Sequence, residues 1–268
     1  MMSMDWIYLS PHLDDAAFSC GGLIWEQAQA SAAAQSGVAA QASVAARAGI
    51  AAGEKVAIWT ICAGDPPGRL SSLAETLHAR WGIPSNSGGE AIARRREEDL
   101  RACRLLGATP RHFPIPDCIY RFREGVALYD SEEALFGELN PAETGLVEEL
   151  SVWLAQIVPP GANLVCPLTL GGHVDHRLVR RAVEKLGRDL WYYADYPYVV
   201  REGAQLDDLT ANLRSVLFQV SKEGRRAWEQ AVATYASQIS SFWENTAAMR
   251  DSLRAYLKEQ GGVRLWRR

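Results

Sequence analysis

The sequence lacks an excess of positive charge. It has 28 Lys and Arg against 32 Asp and Glu, which gives a formal net charge of −4. Partners such as nucleic acid or an anionic membrane usually require a basic face, so neither is expected. The longest candidate for a membrane span, residues 28–52, is interrupted by Gln, Ser, Arg and Gly and is too polar to cross a bilayer. Residues 1–5 show no feature of a signal peptide, and these absences together predict a cytoplasmic protein.

Cysteine is scarce, and glycine-rich phosphate loops are missing. The five cysteines are odd in number, and no two have the C-x-x-C spacing of a zinc or redox site. Several lie in apolar runs, so buried and reduced thiols are predicted in preference to a disulfide or a thiolate zinc site.

Neither G-x-G-x-x-G nor G-x-x-x-x-G-K-S/T follows a predicted strand. The sequence therefore gives little support to nucleotide binding.

What is present indicates one large α/β domain of 268 residues, 48% of them hydrophobic and 22% charged. Apolar runs predict strands over 6–9, 55–61, 111–115, 163–167 and 190–193. Helical patterns from residue 16 and over 89–106, 147–158 and 177–186 alternate with these strands. This alternation predicts a doubly wound, Rossmann-like, mostly parallel sheet with helices on both faces.

Two segments are expected to lie outside this repeating unit. Residues 27–53 are rich in alanine and predict a helical insertion, arranged as a hairpin of two helices around Gly37. Beyond residue 204, a predicted strand over 215–220 and a predicted helix over 222–239 form a C-terminal tail. The tail either packs on the core or makes a subunit contact in a homo-oligomer.

Three chemically versatile side chains follow the first predicted strand. Residues 6–9 are apolar, and a Ser-Pro pair ends the strand because proline cannot continue a central ladder. His12, Asp14 and Asp15 then lie at the carboxyl end of a strand, where open α/β sheets bind ligands. An imidazole beside two carboxylates suits a zinc or hard-cation site. For this cluster alone, however, a helix cap and a surface histidine are the simpler interpretation.

A second cluster with the same residue types occurs far along the chain. His173, Asp175 and His176 follow the predicted strand over 163–167 and precede a predicted helix. Carboxyl ends of parallel strands meet at one edge of a sheet, so the two clusters are expected to converge. Metal binding becomes the leading hypothesis for this reason.

Three short motifs occur in an order that resembles a known family. P-H-L-D-D at residues 11–15 is similar to P/A-H-P-D-D-E, H-V-D-H at 173–176 to H-x-D-H, and R-R-E-E at 95–98 to an R-x-x-E helix start. These are the motifs of the PIG-L/LmbE-like zinc-dependent N-deacetylases. Leu13 replaces the usual proline and Ala16 the usual glutamate. Neither position is a metal ligand in the family, so the two departures bear on substrate class more than on catalysis.

The resemblance implies a hydrolase that acts on linear amide C–N bonds and removes an N-acetyl or N-acyl group from an amino sugar or glycoconjugate, for example N-acetylglucosamine. It implies one zinc ion per chain, held by His12, Asp15 and His176. Asp14 would then be the general base toward a zinc-activated water. His173 would stabilise the oxyanion, and Asp175 would orient His173.

Arg95 has two possible roles. Helical spacing alone favours an ordinary surface ion pair between Arg95 and Glu98. The family resemblance implies instead that the guanidinium of Arg95 binds a substrate oxygen.

Two other classes of protein stay open. A phosphoesterase with two metals would need further carboxylate ligands, and Asp65 and Asp117 lie in loops at the same expected edge of the sheet. A non-catalytic carbohydrate-binding protein would keep the fold and the metal. The presence of Asp14 and His173, which a structural zinc does not need, argues against that second alternative.

Overall fold

The fold is organised around a central sheet. The computed structural model describes residues 5–36, 55–83, 88–201 and 203–268. The described strands are β1 (Trp6–Ser10), β2 (Val56–Thr60), β3 (Thr109–His112), β4 (Phe122–Arg123), β5 (Val126–Ala127), β6 (Asn163–Pro167), β7 (Leu190–Tyr193), β8 (Arg214–Phe218) and β9 (Val263–Arg267). The main sheet has the order β3-β2-β1-β6-β7-β9-β8, and β4 pairs with β5 separately. Its first five strands are parallel, whereas β9 is antiparallel to both of its neighbours.

Helices connect and cover these strands. They are α1 (Asp15–Ser36), α2 (Ser72–Arg80), α3 (Gly88–Leu106), α4 (Thr144–Ile157), α5 (Val174–Glu184), α6 (Tyr198–Arg201), α7 (Gly203–Thr210), α8 (Lys222–Ala233), α9 (Ala236–Phe242) and α10 (Thr246–Gln260). Short 3₁₀ turns occur at Cys118–Tyr120, Glu133–Phe136, Pro141–Glu143 and Leu170–Gly172. The predicted alternation of strands and helices is confirmed, and the strands over 163–167 and 190–193 agree to the residue.

The order of the strands reverses between β1 and β6. From β1 the chain moves outward to β2 and β3, and from β6 it moves the other way to β7. Parallel crossovers are right-handed, so the helices that follow β1 and β6 cover opposite faces of the sheet. The predicted doubly wound architecture is thus confirmed. The carboxyl ends of β1 and β6 flank the switch point, which is where such sheets bind ligands.

Strand β3 is displaced from its predicted position. It occupies Thr109–His112 instead of residues 111–115, and it includes Pro110. β3 is an edge strand that pairs only with β2 among the described strands. An edge strand tolerates proline because the missing N–H has no second neighbour to bond.

The C-terminal tail differs more from its prediction. The helix predicted over 222–239 is broken between α8 and α9 at Tyr235, whose backbone leaves the helical region at φ −80° and ψ 57°. The hydroxyl of Tyr235 donates a hydrogen bond to Asp99 at 2.7 Å, a contact that sequence spacing does not reveal. Helix α10 and strand β9 were not predicted. Strand β9 is held by pairing with β7, which lies about seventy positions earlier in the chain.

The alanine-rich segment begins as part of the core. Helix α1 continues to Ser36, and Gln27 is fully buried, where it accepts a hydrogen bond from the hydroxyl of Tyr8 at 2.8 Å. The buried side chains of Ala28, Ala30 and Ala33 lie on the same helix. The helix predicted from residue 16 thus runs on into the alanine-rich segment as far as Ser36, and the insertion over 27–53 stays a prediction. Residues 37–54, with the hairpin expected around Gly37, lie outside the described residues.

Helix α8 packs closely on α1. The indole of Trp228 lies against Gly21 and Gly22, and a Cβ at Gly21 would be only 2.4 Å from the Trp228 ring. The Trp228 indole nitrogen also donates to the carbonyl of Ala17 at 2.8 Å. Two adjacent glycines thus allow a bulky tail residue to reach the backbone of the core helix.

The five cysteines are buried and free, as predicted: Cys20, Cys62, Cys103, Cys118 and Cys166. Burial raises the pKa of each thiol, so the side chains stay protonated and act as small core residues. No helix in the described parts of the chain combines the length and the apolarity that a membrane span needs.

Candidate metal centre and substrate cleft

The turn after β1 positions the first cluster. The hydroxyl of Ser10 donates to the carbonyl of His12 at 2.6 Å and accepts from the amide of Ala16 at 3.0 Å. The carboxylate of Asp15 accepts from the backbone amide of His12 at 2.6 Å. The first backbone amides of a helix have no carbonyl partner within the helix, and these hydrogen bonds supply polar partners at the start of α1. They hold His12, Asp14 and Asp15 in a fixed arrangement just past the strand.

The turn after β6 positions the second cluster. Gly171 and Gly172 adopt positive φ angles of 78° and 75°, which glycine accepts without steric cost. His173 then caps α5, because its Nδ1 accepts from the amide of Asp175 at 3.2 Å. A ring that accepts at Nδ1 carries its hydrogen on Nε2 when it is neutral.

The two clusters meet around the carboxylate of Asp15. One Asp15 oxygen lies 3.2 Å from Nδ1 of His12, and the other lies 3.3 Å from Nε2 of His176. The His173 ring centroid is 4.7 Å from that of His12 and 5.4 Å from that of His176. The structure therefore brings together residues that the sequence separates by more than 150 positions.

Each of the two histidines beside Asp15 has a carboxylate on its other nitrogen. Nε2 of His12 lies 3.0 Å from Asp175, and Nδ1 of His176 lies 2.6 Å from Asp195. The Asp175 carboxylate contacts His12, whereas its contact with His173 runs through the backbone amide. The role of Asp175 in orienting His173 stays a prediction, and the hydrogen bond between these two residues joins the Asp175 amide to Nδ1 of His173.

Asp175 is itself held by positive charge. Arg121 donates to its carboxylate at 2.6 Å, and the amide of Cys118 donates at 2.9 Å. Arg121 also forms an ion pair with the buried Glu143 at 2.6 Å. A buried carboxylate needs such partners, because an unpaired charge in the interior is costly.

Asp14 lies beside His12 and Asp15 and also close to Arg95. The guanidinium of Arg95 lies 3.8 Å from Asp14 and 3.3 Å from Asp117, and it stacks over Trp81 at 4.8 Å. Arg95 is 4% exposed, and its Nε has no partner among the described residues. The alternative of a solvated pair with Glu98 does not apply, since both residues are buried.

The carboxylates around His12 and His176 raise the pKa of both imidazoles. Burial opposes a charged His12, but Asp117 and Asp15 outweigh it and place the pKa of His12 well above its usual value. Burial likewise opposes a charged His176, and Asp15 with Asp195 raises its pKa to about 10. Both imidazoles are thus surrounded by negative charge that would also attract a cation.

The pKa of the neighbouring His173 is lowered, whereas that of Asp14 is raised. Burial lowers the pKa of His173 well below its usual value, and positive charge on His12 and His176 acts in the same sense. Burial and the adjacent Asp15 raise the pKa of Asp14 to about 7. A carboxyl group with a pKa near the working pH is suited to general-base catalysis.

The donor set fits a catalytic zinc ion. One oxygen of the Asp15 carboxylate lies 3.2 Å from Nδ1 of His12, and the other lies 3.3 Å from Nε2 of His176. Catalytic zinc sites commonly have three protein ligands of these types and leave one position open. Carboxylates on the remaining imidazole nitrogens, here Asp175 and Asp195, are the usual supporting groups of such ligands.

A cleft of about 310 Å³ opens over these residues. Its floor contains Asp14, Asp15 and Asp117, and aromatic side chains border it: Trp81, Phe136, Tyr198 and Phe242. Leu13 and Ala16, which depart from the family pattern, are buried and do not line the cleft. The volume is at the lower end of that of small-molecule sites.

Sequence reasoning did not assign a role to Asp195, Arg121 or Tyr198. Asp195 follows β7, so its place after a predicted parallel strand was an available signal. Arg121 had no comparable signal, because its partner Asp175 is 54 positions away. Tyr198 becomes part of the cleft only through the packing of α6.

The family assignment follows from comparison of the chain with known families. The family model of PIG-L, described as GlcNAc-PI de-N-acetylase, matches residues 7–186, a segment that contains both histidine clusters and Arg95. The chain belongs to the PIG-L family. The resemblance found in the sequence motifs is therefore confirmed.

Individual relatives of this PIG-L protein are named deacetylases. The 2'-N-acetylparomamine deacetylase of Streptomyces fradiae is 33% identical over 212 residues, which cover 74% of this chain and 59% of that protein. The chain thus spans less than two thirds of that relative's length.

Solved structures share the fold. The zinc inhibited form of teicoplanin deacetylase Orf2 aligns with a TM-score of 0.78 at 24% identity, covering 98% of this chain and 97% of that one. The A40926 pseudoaglycone deacetylase Dbv21 aligns with a TM-score of 0.67 at 26% identity, covering 99% and 97%. The α/β architecture described above is the one that these two structures have.

Proposed function

We propose that this PIG-L protein is a zinc-dependent N-deacetylase that hydrolyses the acetamide of an N-acetylated amino sugar or glycoconjugate. The observation that carries the proposal is the position of the Asp15 carboxylate between the imidazole nitrogens of His12 and His176, with the carboxyl of Asp14 beside it. Named relatives support the reaction class, since the Streptomyces fradiae protein is a 2'-N-acetylparomamine deacetylase.

One zinc ion per chain would be held by His12, Asp15 and His176. When bound, it supplies an acidified water and a positive charge for the amide oxygen. Asp175 and Asp195 keep the two imidazoles in their ligating orientation through the nitrogens that face away from Asp15.

The remaining steps belong to side chains of the cleft. Asp14 takes a proton from the attacking water and returns it to the sugar nitrogen as the C–N bond breaks, which releases acetate and the free amine. Burial and the adjacent Asp15 bring the pKa of Asp14 to about 7. His173 donates from Nε2 to the oxygen of the amide as negative charge develops there, because its Nδ1 is engaged with Asp175. A preorganised donor of this kind contributes on the order of 3 kcal/mol to barrier lowering.

Arg95 would bind the sugar. Its guanidinium is fixed by Asp117 and by stacking on Trp81, yet its Nε has no partner among the described residues. A hydroxyl of the substrate would complete this donor set. A planar guanidinium presents two parallel donors, which a lysine cannot reproduce.

The metal count distinguishes this proposal from a two-metal phosphoesterase. Asp65, one of the carboxylates that a second metal would need, is paired with Arg96 at the surface. The test is elemental analysis of the purified protein together with acetate release from a panel of N-acetylated sugars, with chelated protein as control. We expect about one zinc per chain and zinc-dependent acetate release. Two metals per chain with phosphate-ester hydrolysis would overturn the proposal.

Metal analysis of His12→Ala, Asp15→Ala and His176→Ala tests the ligand set. Each substitution removes one of three ligands, so we expect zinc to be lost from all three variants. A variant that retains full zinc occupancy has lost a residue that is not a ligand.

A further inference from the structure

A buried row of polar side chains leads from His12 away from the cleft. Nε2 of His12 lies 3.0 Å from one oxygen of Asp175, and the other oxygen of Asp175 accepts from Arg121 at 2.6 Å. Nε of Arg121 lies 2.6 Å from one oxygen of Glu143, whose second oxygen accepts from the hydroxyl of Tyr129. The four residues beyond His12 are at most 8% exposed. The row therefore lies inside the protein, where charged groups must be paired.

The guanidinium of Arg121 uses all three of its nitrogens in this row. Nη2 contacts Asp175, Nε contacts Glu143, and Nη1 donates to the carbonyl of Pro116 at 3.3 Å. A planar guanidinium can hold two carboxylates in fixed positions at once, which the single ammonium of a lysine cannot do. Among the described residues, Arg121 is not one of those that line the cleft. Its connection with the candidate metal centre runs through Asp175.

The carboxylate behind His176 is held differently. Asp195 lies 2.6 Å from Nδ1 of His176 and accepts from the amide of Leu170 at 2.9 Å. Over the residues that the structure describes, no lysine or arginine pairs with Asp195, whereas Asp175 pairs with Arg121. Hydrogen bonds between ionised groups are roughly twice as strong as those between neutral groups. The position of Asp175 therefore depends on a charged partner, and that of Asp195 does not.

Arg121 and Glu143 also lie at the two ends of a segment that forms one wall of the cleft. The chain between them forms β4 and β5, and side chains from residues 132–136 line the cleft. The simpler interpretation is that the pair only anchors this wall. The contact of Arg121 with Asp175 goes beyond that interpretation, because Asp175 belongs to α5 and contacts His12.

We infer that Arg121, held by Glu143, is a positioning residue of the candidate metal centre and acts on His12 through the carboxylate of Asp175. Asp175 occupies Nε2 of His12, so Nδ1 is the nitrogen that faces Asp15, at 3.2 Å. Because the contact with Asp175 orients the ring, a shift of that carboxylate turns Nδ1 away from Asp15. Altered partners of this kind commonly change metal affinity about 10- to 100-fold. The inference rests on the proposed deacetylase function, because it concerns a ligand of the proposed zinc ion.

The test measures zinc affinity by competition with a chromophoric chelator, so that binding is followed without turnover. Arg121→Lys keeps the charge but cannot contact Asp175 and Glu143 together, and we expect it to bind zinc about tenfold more weakly. Glu143→Gln should weaken zinc binding by a smaller factor, because it acts through Arg121. The matched controls are Arg123→Lys on β4 and Glu149→Gln on α4, both exposed, and they should bind zinc as the unaltered protein does.

Double variants distinguish positioning from a general loss of structure. Asp175→Asn alters the residue through which Arg121 acts, so adding Arg121→Lys to it should cause no further loss of zinc affinity. Asp195→Asn affects His176 instead, and in that background Arg121→Lys should still cause its full, about tenfold loss. Circular dichroism identifies the folded variants, and Glu143→Gln takes the place of Arg121→Lys in both combinations if the latter does not fold.

Two results would overturn the inference. If Arg121→Lys and Glu143→Gln both bind zinc as tightly as the unaltered protein, the pair only anchors the wall of the cleft. If the loss is equally large in the Asp175→Asn background, Arg121 does not act through Asp175. The expected pattern of zinc affinities without any acetate release would instead count against the proposed function alone.

Discussion

Nε2 of His12 lies 3.0 Å from the carboxylate of Asp175, and 163 positions of sequence separate the two residues. This contact joins the turn after β1 to the turn after β6 across the switch point of the sheet. The pair formed by His176 and Asp195, at 2.6 Å, joins the second turn to the end of β7 in the same way. The proposed zinc ligands and the carboxylates that orient them thus come from three different strand ends.

The first prediction concerns the carboxylate of Asp195, which orients the imidazole of His176. Asp195→Asn keeps the size of the side chain but weakens the acceptor that fixes His176. We expect zinc affinity to fall about 10- to 100-fold, as is usual when a supporting carboxylate is removed. Competition with a chromophoric chelator measures the zinc affinity. Asp189→Asn is the control, because Asp189 is exposed and directly precedes β7. Unchanged affinity in Asp195→Asn would show that the contact does not serve the metal.

The second prediction separates the adjacent aspartates. Asp14→Asn retains hydrogen bonding but cannot accept the proton, so kcat should fall about 10²- to 10⁴-fold while zinc content stays normal. Asp15→Asn should lose zinc, and added metal should restore part of its activity. Zinc content and kcat of both variants decide the matter. Normal turnover by Asp14→Asn would mean that Asp14 only caps the start of α1 and is not the general base, which would contradict the proposed mechanism.

The third prediction concerns Arg95. Arg95→Lys keeps the positive charge near Asp14 and Asp117 but removes the planar pair of donors. We expect KM for the N-acetylated sugar to rise more than kcat falls, because the contact exists before and during the reaction. Steady-state kinetics test this, with Arg101→Lys on the exposed side of α3 as the control. If both variants have the kinetics of the unaltered protein, Arg95 does not bind the substrate.

The fourth prediction concerns stability and pH at a site remote from the cleft. Burial opposes ionisation of Glu229, but hydrogen bonds from Arg254 and Arg225 outweigh it and lower the pKa of Glu229 in the folded protein. A lowered folded-state pKa gives stability that is present above the unfolded-state pKa and is lost as the pH falls through the folded value. Glu229→Gln should therefore lower the free energy of unfolding at pH 7 by roughly 0.5–1 kcal/mol after solvent screening.

The same difference should shrink as the pH is lowered and disappear below the lowered folded-state pKa of Glu229, where the carboxyl of the unaltered protein is also protonated. Urea denaturation of the metal-free proteins at pH 7 and at low pH measures the difference in the free energy of unfolding between Glu229→Gln and the unaltered protein. Glu259→Gln, an exposed residue of α10, should change stability little at either pH. A Glu229→Gln deficit that is equally large at low pH would mean that packing, and not charge, stabilises this contact.

Sequence patterning located the parallel part of the fold well. The strands that precede His12 and His173 are buried, largely apolar and followed by turn residues, so local signals sufficed. The convergence of their clusters followed from topology alone. The residues that sequence reasoning missed depend on distant partners instead: Arg121 is placed by Asp175, and Tyr235 breaks a helix because its hydroxyl reaches Asp99.

The C-terminal region was harder to predict for the same reason. Strand β9 contains Arg264 and Arg267, and it is stabilised by pairing on both sides rather than by an apolar pattern of its own. Helix α9 has only seven residues and takes its position from Glu98. Contacts that arise only in the folded chain leave no periodic signal in the sequence.

The place of β9 between β7 and β8 has a consequence for the order in which the molecule is assembled. During synthesis, residues up to Asp195 already contain the five parallel strands and the side chains of the candidate metal centre. Among the described strands, β8 pairs only with β9, so it has no partner in the sheet until β9 has emerged from the ribosome. Helix α9 is part of the long connection between these two strands. In the order of synthesis, the side chains of the candidate metal centre therefore precede the helix that forms the far end of the cleft.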